Sequence, residues 1–190
     1  EKKNPQPAEK MIQQLRQAVD GFLSLPIPII AALNGFAYGG GAELATRCDL
    51  RVMDPDTVIC FSEVRLGLMP DWGGGATLAK LLGPAIAADL ILTARKIPAD
   101  EALRSGLVNR VSRPGKALEE AITLGETIAK NGPRAVACAL EVIRQSLSLP
   151  LDKSLNLESA KAVSLIMSGE CFHGVAAFFE KKEPDFPDIE

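Results

Sequence analysis

An α/β core followed by a helical region is the fold this sequence predicts, and three observations carry that reading. Short β-prone runs alternate with glycine-rich turns and helical stretches as far as residue 111. Beyond Lys116 nearly every segment has helical character. The chain of 190 residues, 47% hydrophobic and 24% charged, is long and apolar enough to bury a sizeable core. The expected division is a β/α core over residues 1–112 and a helical region over 113–190.

Taken in order, Met11, Leu15, Val19 and Phe22 recur at helical steps and predict an amphipathic helix over 7–25, ended by Pro26. Residues 27–33 form a short apolar run between Pro26 and Asn34-Gly35, the pattern of a buried strand. Three glycines, Gly39 to Gly41, then feed a helix-compatible stretch. Strands are predicted at 50–53 and 58–61, joined by the turn DPDT, and SEVRLGLMPDWGGG reads as a long loop. Helices are predicted at 76–82, 85–92, 98–105, 118–130, 134–148, 151–167 and 170–182, with one strand at 107–111. Pro98 at a first helical position and Gly106 just past the end bound one of them, and Val136, Leu140, Ile143 and Leu147 stripe another.

Composition excludes several functions. With 21 Lys+Arg against 24 Asp+Glu and no basic run, there is no positive stripe for nucleic acid or an anionic membrane. The one histidine, His173, removes multi-His metal sites; it stands two residues from Cys171 on a predicted helix, so their side chains diverge and no Cys–His nucleophile is expected. His173 is expected at a surface or interface. Cys48, Cys60, Cys138 and Cys171 contain no C-x-x-C pair and read as reduced, buried thiols of a cytosolic or matrix compartment. The longest apolar runs are too short to span a bilayer, and EKKNPQPAEK lacks the apolar stretch of a signal peptide.

The strand–GGG–helix junction could hold an oxyanion or phosphate on Gly39, Gly40 and Gly41, because a helix start offers unpaired N–H donors. It is neither G-x-G-x-x-G, since Leu44 stands at the third glycine position, nor a P-loop. A tight turn with close packing is the plainer reading. Glu43 falls in the first turn of that helix, where the dipole favours a carboxylate. Glu63 follows the strand VICFS, and Asp71 opens the next glycine run. Singly, Glu63 is a loop acid and Asp71 an N-cap for a helix over 72–82; together, three acids beside two glycine clusters suggest acid–base chemistry at an anion hole. Tyr38 could line a ligand pocket or be a packed aromatic, and Trp72 reads as wall or core.

The stretch IPIIAALNGFAYGGGAELATRCDLRVMDPDTVICFSEVRLGLMPDWGGGATLAKLLG, with LILTARKIPADEALRSGLVNRV and the terminal HGVAAFFEKKEPDF, resembles the enoyl-CoA hydratase/isomerase (crotonase) superfamily across nearly the whole chain. G-G-G-x-E-L, the spacing to the second acid and the P-D/G-G-G region recur in order. The resemblance implies a crotonase-like ββα superhelix core with a C-terminal helical region for trimerisation, paired into hexamers in some members, and for capping the active site. It also implies an acyl-CoA substrate, with no cofactor and no metal. Gly40 then matches a backbone donor to the thioester oxygen, flanked by Gly39 and Gly41. Glu43 and Glu63 match two glutamates that hold a water, one acting on the water that attacks the β-carbon and the other handling the α-carbon proton. Lys181 and Lys182 match a position that reaches the CoA moiety, a solvated helix end being the alternative.

Asp71 leaves the reaction open. Its position matches one where isomerases of the superfamily place a proton-shuttling carboxylate, so hydration of a 2-enoyl-CoA and isomerisation of an enoyl- or dienoyl-CoA are both implied, hydration preferred because both glutamates are present. A non-catalytic CoA-binding module is the third reading. The family's first strands, with its second oxyanion donor and much of its adenine pocket, have no counterpart here: no A-G-x-D stretch precedes Pro7. A fragment, removal of a leading segment and a shortened relative are the readings of that. A bacterial-type cytoplasmic location is expected, or the mitochondrial matrix if a precursor segment is removed.

Overall fold

The computed structural model describes residues 4–187. One compact unit contains the chain up to Leu25 together with Ile29–Ala121; Pro26–Pro28 and the described residues from Ile122 form a second.

In the first unit, the first four strands alternate between two three-stranded sheets. One sheet has the order β1 (Ile30–Leu33), β3 (Leu50–Met53), β6 (Arg110–Val111), all parallel; the other has the order β2 (Ala37–Tyr38), β4 (Val58–Cys60), β5 (Ile97–Pro98). β2 and β4 are parallel, β4 and β5 antiparallel. Each early strand pair is followed by helix: α2 (Gly40–Arg47) after β1–β2, and a 3-10 turn (Glu63–Leu66) with α3 (Gly74–Leu82) and α4 (Pro84–Thr93) after β3–β4. α1 (Gln6–Leu23) precedes this repeat and α5 (Ala99–Ser105) bridges β5 to β6. Ala42, Ala45, Met53, Ile59, Phe61, Leu78, Leu90 and Ile97 form the core between sheets and helices. Small residues on α2 are what let that helix lie close to the strands.

Local chemistry explains where the elements depart from the periodicity. Only the last four residues of the predicted strand at 27–33 join the ladder, because the Ile29 N–H donates to the Asp49 carboxylate (2.7 Å) and Pro28 has no N–H to give. Of the strand predicted at 107–111, only Arg110–Val111 pairs: Leu107 and Val108 are buried in the core instead, and Asn109 uses its amide oxygen to receive the Arg51 N–H (2.8 Å). Pro98 ends β5 with an extended backbone, so α5 starts at Ala99, one residue later than expected; Gly106 closes it with φ 81°. The predicted loop after β4 contains the 3-10 turn. α1 forms as its stripe predicts, yet Met11, Leu15 and Phe22 are exposed and only Leu23 is buried.

Arg51 is a buried cation in this core. Its guanidinium donates to the carbonyls of Cys48 (2.5 Å), Ala45 and Thr46 (both 3.2 Å), and through Nε to Leu107 (2.6 Å). It therefore caps the C-terminus of α2 and ties that end to the chain entering β6. Burial lowers its pKa from the ordinary arginine value.

The second unit is helical: the later part of α6 (Ala117–Ala129), then α7 (Pro133–Ser146), α8 (Leu151–Ser168) and α9 (Glu170–Glu180). Glu170 is buried and accepts from the N–H groups of Arg134 (2.9 Å) and Ala135 (2.8 Å), satisfying the start of α7. A side chain at Gly132 would collide with that carboxylate. Among the cysteines, Cys48 and Cys60 are buried as expected, whereas Cys138 is half-buried and Cys171 exposed, both on helices with apolar surface facing outward. His173 is exposed on α9. No single helix among the described residues is long and apolar enough to cross a membrane; α8 and α9 meet the criterion only as a pair bent by 72°.

Candidate active site

The parallel pairing of β2 with β4 sets two C-terminal strand ends side by side, and the site grows from those ends. β2 runs into Gly39, whose N–H donates to the Cys60 carbonyl (2.9 Å) and whose φ of 51° turns the chain into α2. That conformation favours glycine. β4 runs through Phe61 and Ser62 into Glu63. A side chain on Gly39 would stand 3.7 Å from Glu63 Oε1 and from Ser62 Oγ, so the glycine turn and the second acid are neighbours. Gly40 and Gly41 open α2, and their N–H groups precede the first intrahelical acceptor, which the Glu43 N–H uses by donating to the Gly39 carbonyl (3.0 Å).

Glu43 is 1% exposed. Its Oε1 accepts from the Asp71 N–H (3.1 Å), and its Oε2 from the Trp72 and Gly74 N–H groups (both 2.9 Å). Three backbone donors thus fix the carboxyl group in one orientation. α3 can approach so closely only because residue 74 is glycine; a Cβ there would overlap the Glu43 backbone and side chain. Glu63 differs from it in every respect. Both its carboxylate oxygens are buried and neither has a hydrogen-bond partner among the described residues. Burial pushes its carboxyl above the usual glutamate range, and the nearby charges of Glu43 and Asp71 push the same way.

The structure corrects the N-cap reading of Asp71. α3 begins at Gly74, its N-cap is Gly73 at φ 90°, and no side chain caps it. Asp71 contributes its N–H to Glu43, while its side chain is exposed and lines a cavity of about 670 Å³ with Val64, Met69, Pro70, Ile91 and Leu92. Glu43 and Glu63 do not line that cavity. The benzo edge of Trp72 lies against Gly40, where any Cβ would meet the ring at 2.8 Å. Tyr38 is partly exposed and meets Phe36 edge-on, ring centroids 6.3 Å apart. Gly39, Gly40, Gly41, Glu43, Glu63, Asp71 and Trp72 are therefore gathered in the first unit. Lys181 belongs to the second, at the C-cap of α9 with φ 54°.

Sequence reasoning overlooked two contributors. Gly74 was visible only as one of a glycine run, with nothing local to say that Glu43 would press against it. Arg47, in the last turn of α2, donates to the Trp72 carbonyl (2.8 Å) and to Asp20 of α1 (2.5 Å). An arginine one turn beyond an acid on a short helix carries no local sign of such contacts.

Comparison with known proteins agrees with this architecture. Residues 1–189 match the family described as enoyl-CoA hydratase/isomerase. The chain belongs to that family. Among curated members, it is 42% identical over 159 residues to a probable enoyl-CoA hydratase of Rhizobium meliloti, covering 84% of this chain and 62% of that protein. A short-chain-enoyl-CoA hydratase of Clostridium acetobutylicum is 39% identical over 162 residues, 82% of this chain and 60% of the relative. The crystal structure of an enoyl-CoA hydratase from Bacillus anthracis superposes with a TM-score of 0.91 at 34% identity, covering 97% of this chain and 72% of that one. The fold is thus the crotonase fold, and this family member spans about three fifths of the length of the curated relatives.

Proposed function

We propose that this protein adds water across a 2-enoyl-CoA to give a 3-hydroxyacyl-CoA. The observation that carries the proposal is the unlike pair of carboxyl groups beside a glycine-rich helix start: Glu43 held by three N–H groups, Glu63 with its carboxylate oxygens buried and without a hydrogen-bond partner among the described residues. The Gly40 N–H accepts the role of donor to the thioester oxygen, where negative charge develops as the double bond is attacked. Glu43, being fixed, orients a water and takes its proton as the oxygen bonds to the β-carbon. Glu63, whose site favours the protonated form, delivers a proton to the α-carbon. One hydroxyl and one hydrogen are added, and the pair exchanges its proton to reset.

The names of the relatives favour hydration over isomerisation; Asp71 lines the cavity, with its charge close enough to Glu63 to help raise that carboxyl. That mostly apolar cavity suits the acyl chain in size. Coenzyme A is substrate in this reading and no further cofactor takes part; Gly39, Gly41, Tyr38, Trp72 and Lys181 are proposed to contact the ester, and residues 113–190 to mediate trimer or hexamer assembly. A bacterial cytoplasm or a mitochondrial matrix suits such chemistry.

The test is loss of the conjugated enoyl-thioester absorbance of crotonyl-CoA, with Glu63→Gln beside the parent. The parent should turn over the ester and the variant should lose about 10²- to 10⁴-fold in kcat while still binding it. Binding without turnover by the parent would instead select the non-catalytic CoA-binding reading, and a shifted double bond in the product would select the isomerase.

A further inference from the structure

Arg47 makes no hydrogen bond to either glutamate, though it lines the cavity assigned to the acyl chain, and it closes a circuit around the carboxyl pair. It lies one turn beyond Glu43 on the same helix, so the two side chains leave α2 on the same side. Glu43 grips the strap 71–74 through the N–H groups of Asp71, Trp72 and Gly74. Arg47 grips it through the carbonyl of Trp72 (2.8 Å) and packs along Gly73, where a Cβ would stand 3.3 Å from its Cδ. Trp72 is thereby held at its own N–H by one side chain and at its own carbonyl by the other. The guanidinium is itself anchored by Asp20 (2.5 Å), and the Arg47 side chain is only 18% exposed.

Pinning both ends of Trp72 has two effects at the site. It keeps the peptide donors aimed at Glu43, and it keeps the indole lying on Gly40. A lysine could not reproduce the arrangement, since two acceptors in different directions call for the planar fork of arginine. We infer that Arg47 is a positioning residue, which holds the Asp71–Gly74 strap on the Glu43 carboxyl and the Trp72 indole over Gly40 by fixing the Trp72 carbonyl. The inference rests on the hydratase reading for its kinetic consequence only; its structural part stands independently.

Trp72 is the one tryptophan of the chain, so its fluorescence reads the strap directly. Arg47→Met should shift emission to the red and raise quenching by acrylamide, with far-UV circular dichroism unchanged. Arg47→Lys should fall between parent and Arg47→Met. With crotonyl-CoA, Arg47→Met should lower kcat roughly tenfold or more, because geometry at the reacting atoms is lost, and any smaller change in KM reports the cavity wall that Arg47 also lines. Asp20→Ala, which removes the anchor together with the exposed Arg16 ion pair, should move both readouts in the same direction by less, and it carries the test if Arg47→Met fails to fold. Arg104→Met, which breaks a surface ion pair elsewhere, should leave both unchanged. Parent-like emission and quenching in Arg47→Met, or in Asp20→Ala if Arg47→Met does not fold, would overturn the inference. So would a loss expressed in KM with kcat intact. A parent without turnover would sink the hydratase reading, and fluorescence alone would then decide the role of Arg47.

Discussion

At the scale of single residues, two glutamates, one in the first turn of α2 and one just after β4, have been given opposite surroundings. Glu43 has its carboxylate satisfied by backbone N–H groups; the Glu63 carboxylate has no hydrogen-bond partner among the described residues, and burial raises its pKa above the ordinary value of 4.5. That has a consequence for stability. A group whose pKa is raised in the folded state binds a proton more tightly folded than unfolded, so its favourable contribution is complete below the unfolded value and disappears as pH rises through the folded one. Replacing Glu63 by the neutral isostere glutamine removes the cost of burying the charge. Glu63→Gln should therefore melt higher than the parent at about pH 8, and the difference should vanish at about pH 4, where both side chains are neutral. Thermal melts across that range check the sign, and a variant less stable than the parent at high pH would show that Glu63 has a charged partner. Such a gain in stability on loss of a reactive group is the mark of a site held at the expense of the fold.

At the scale of elements, the site depends on how closely α3 can meet α2. Gly74 is the contact point, and Gly74→Ala should drive α3 off Glu43, breaking some or all of its three backbone hydrogen bonds. Overpacking of this kind costs about 1–3 kcal/mol. The expected outcome is a lower melting temperature together with a kcat loss close to that of a direct Glu43 substitution; Gly41→Ala, with open space around it, should by comparison spare stability. Much of this was legible in the sequence. The glycine turn, the two acids and the helix that carries one of them follow from local composition and from the family resemblance, and α2, α4 and α8 fall close to where periodicity puts them. What was not legible depends on contacts between distant residues. The strap 71–74 reads as an N-cap and helix start because Asp71 precedes helix-forming residues, but Gly73 can adopt φ 90° and starts the helix later, which frees the N–H groups of Asp71 and Trp72 for Glu43. The two-residue strands β2 and β5 likewise owe their existence to pairing with β4 rather than to any pattern of their own.

At the scale of the whole molecule, the second unit exposes an extended apolar surface among the described residues. Ile166, Met167, Phe172, Phe178 and Phe179 are all more than half exposed, and the two adjacent phenylalanines meet edge-on at 5.8 Å. A stable monomer rarely shows an apolar area of that extent, and neither α8 nor α9 is alone long and apolar enough to place it in a bilayer. We propose that association with further copies of the chain buries it, as the trimer implied by the family resemblance would. Sedimentation velocity on the protein should accordingly give a single species of three or six copies at micromolar concentration. Phe178→Ser combined with Ile166→Glu, which changes two surface positions and no buried one, should shift that species toward monomer while preserving helical content. If the parent sediments as a monomer, the exposed face must be assigned to another partner and residues 113–190 lose their proposed role in assembly. If the double variant remains a trimer, the interface lies on other residues of the chain, and the outward-facing phenylalanines of α9 are free to serve the acyl-CoA ester instead.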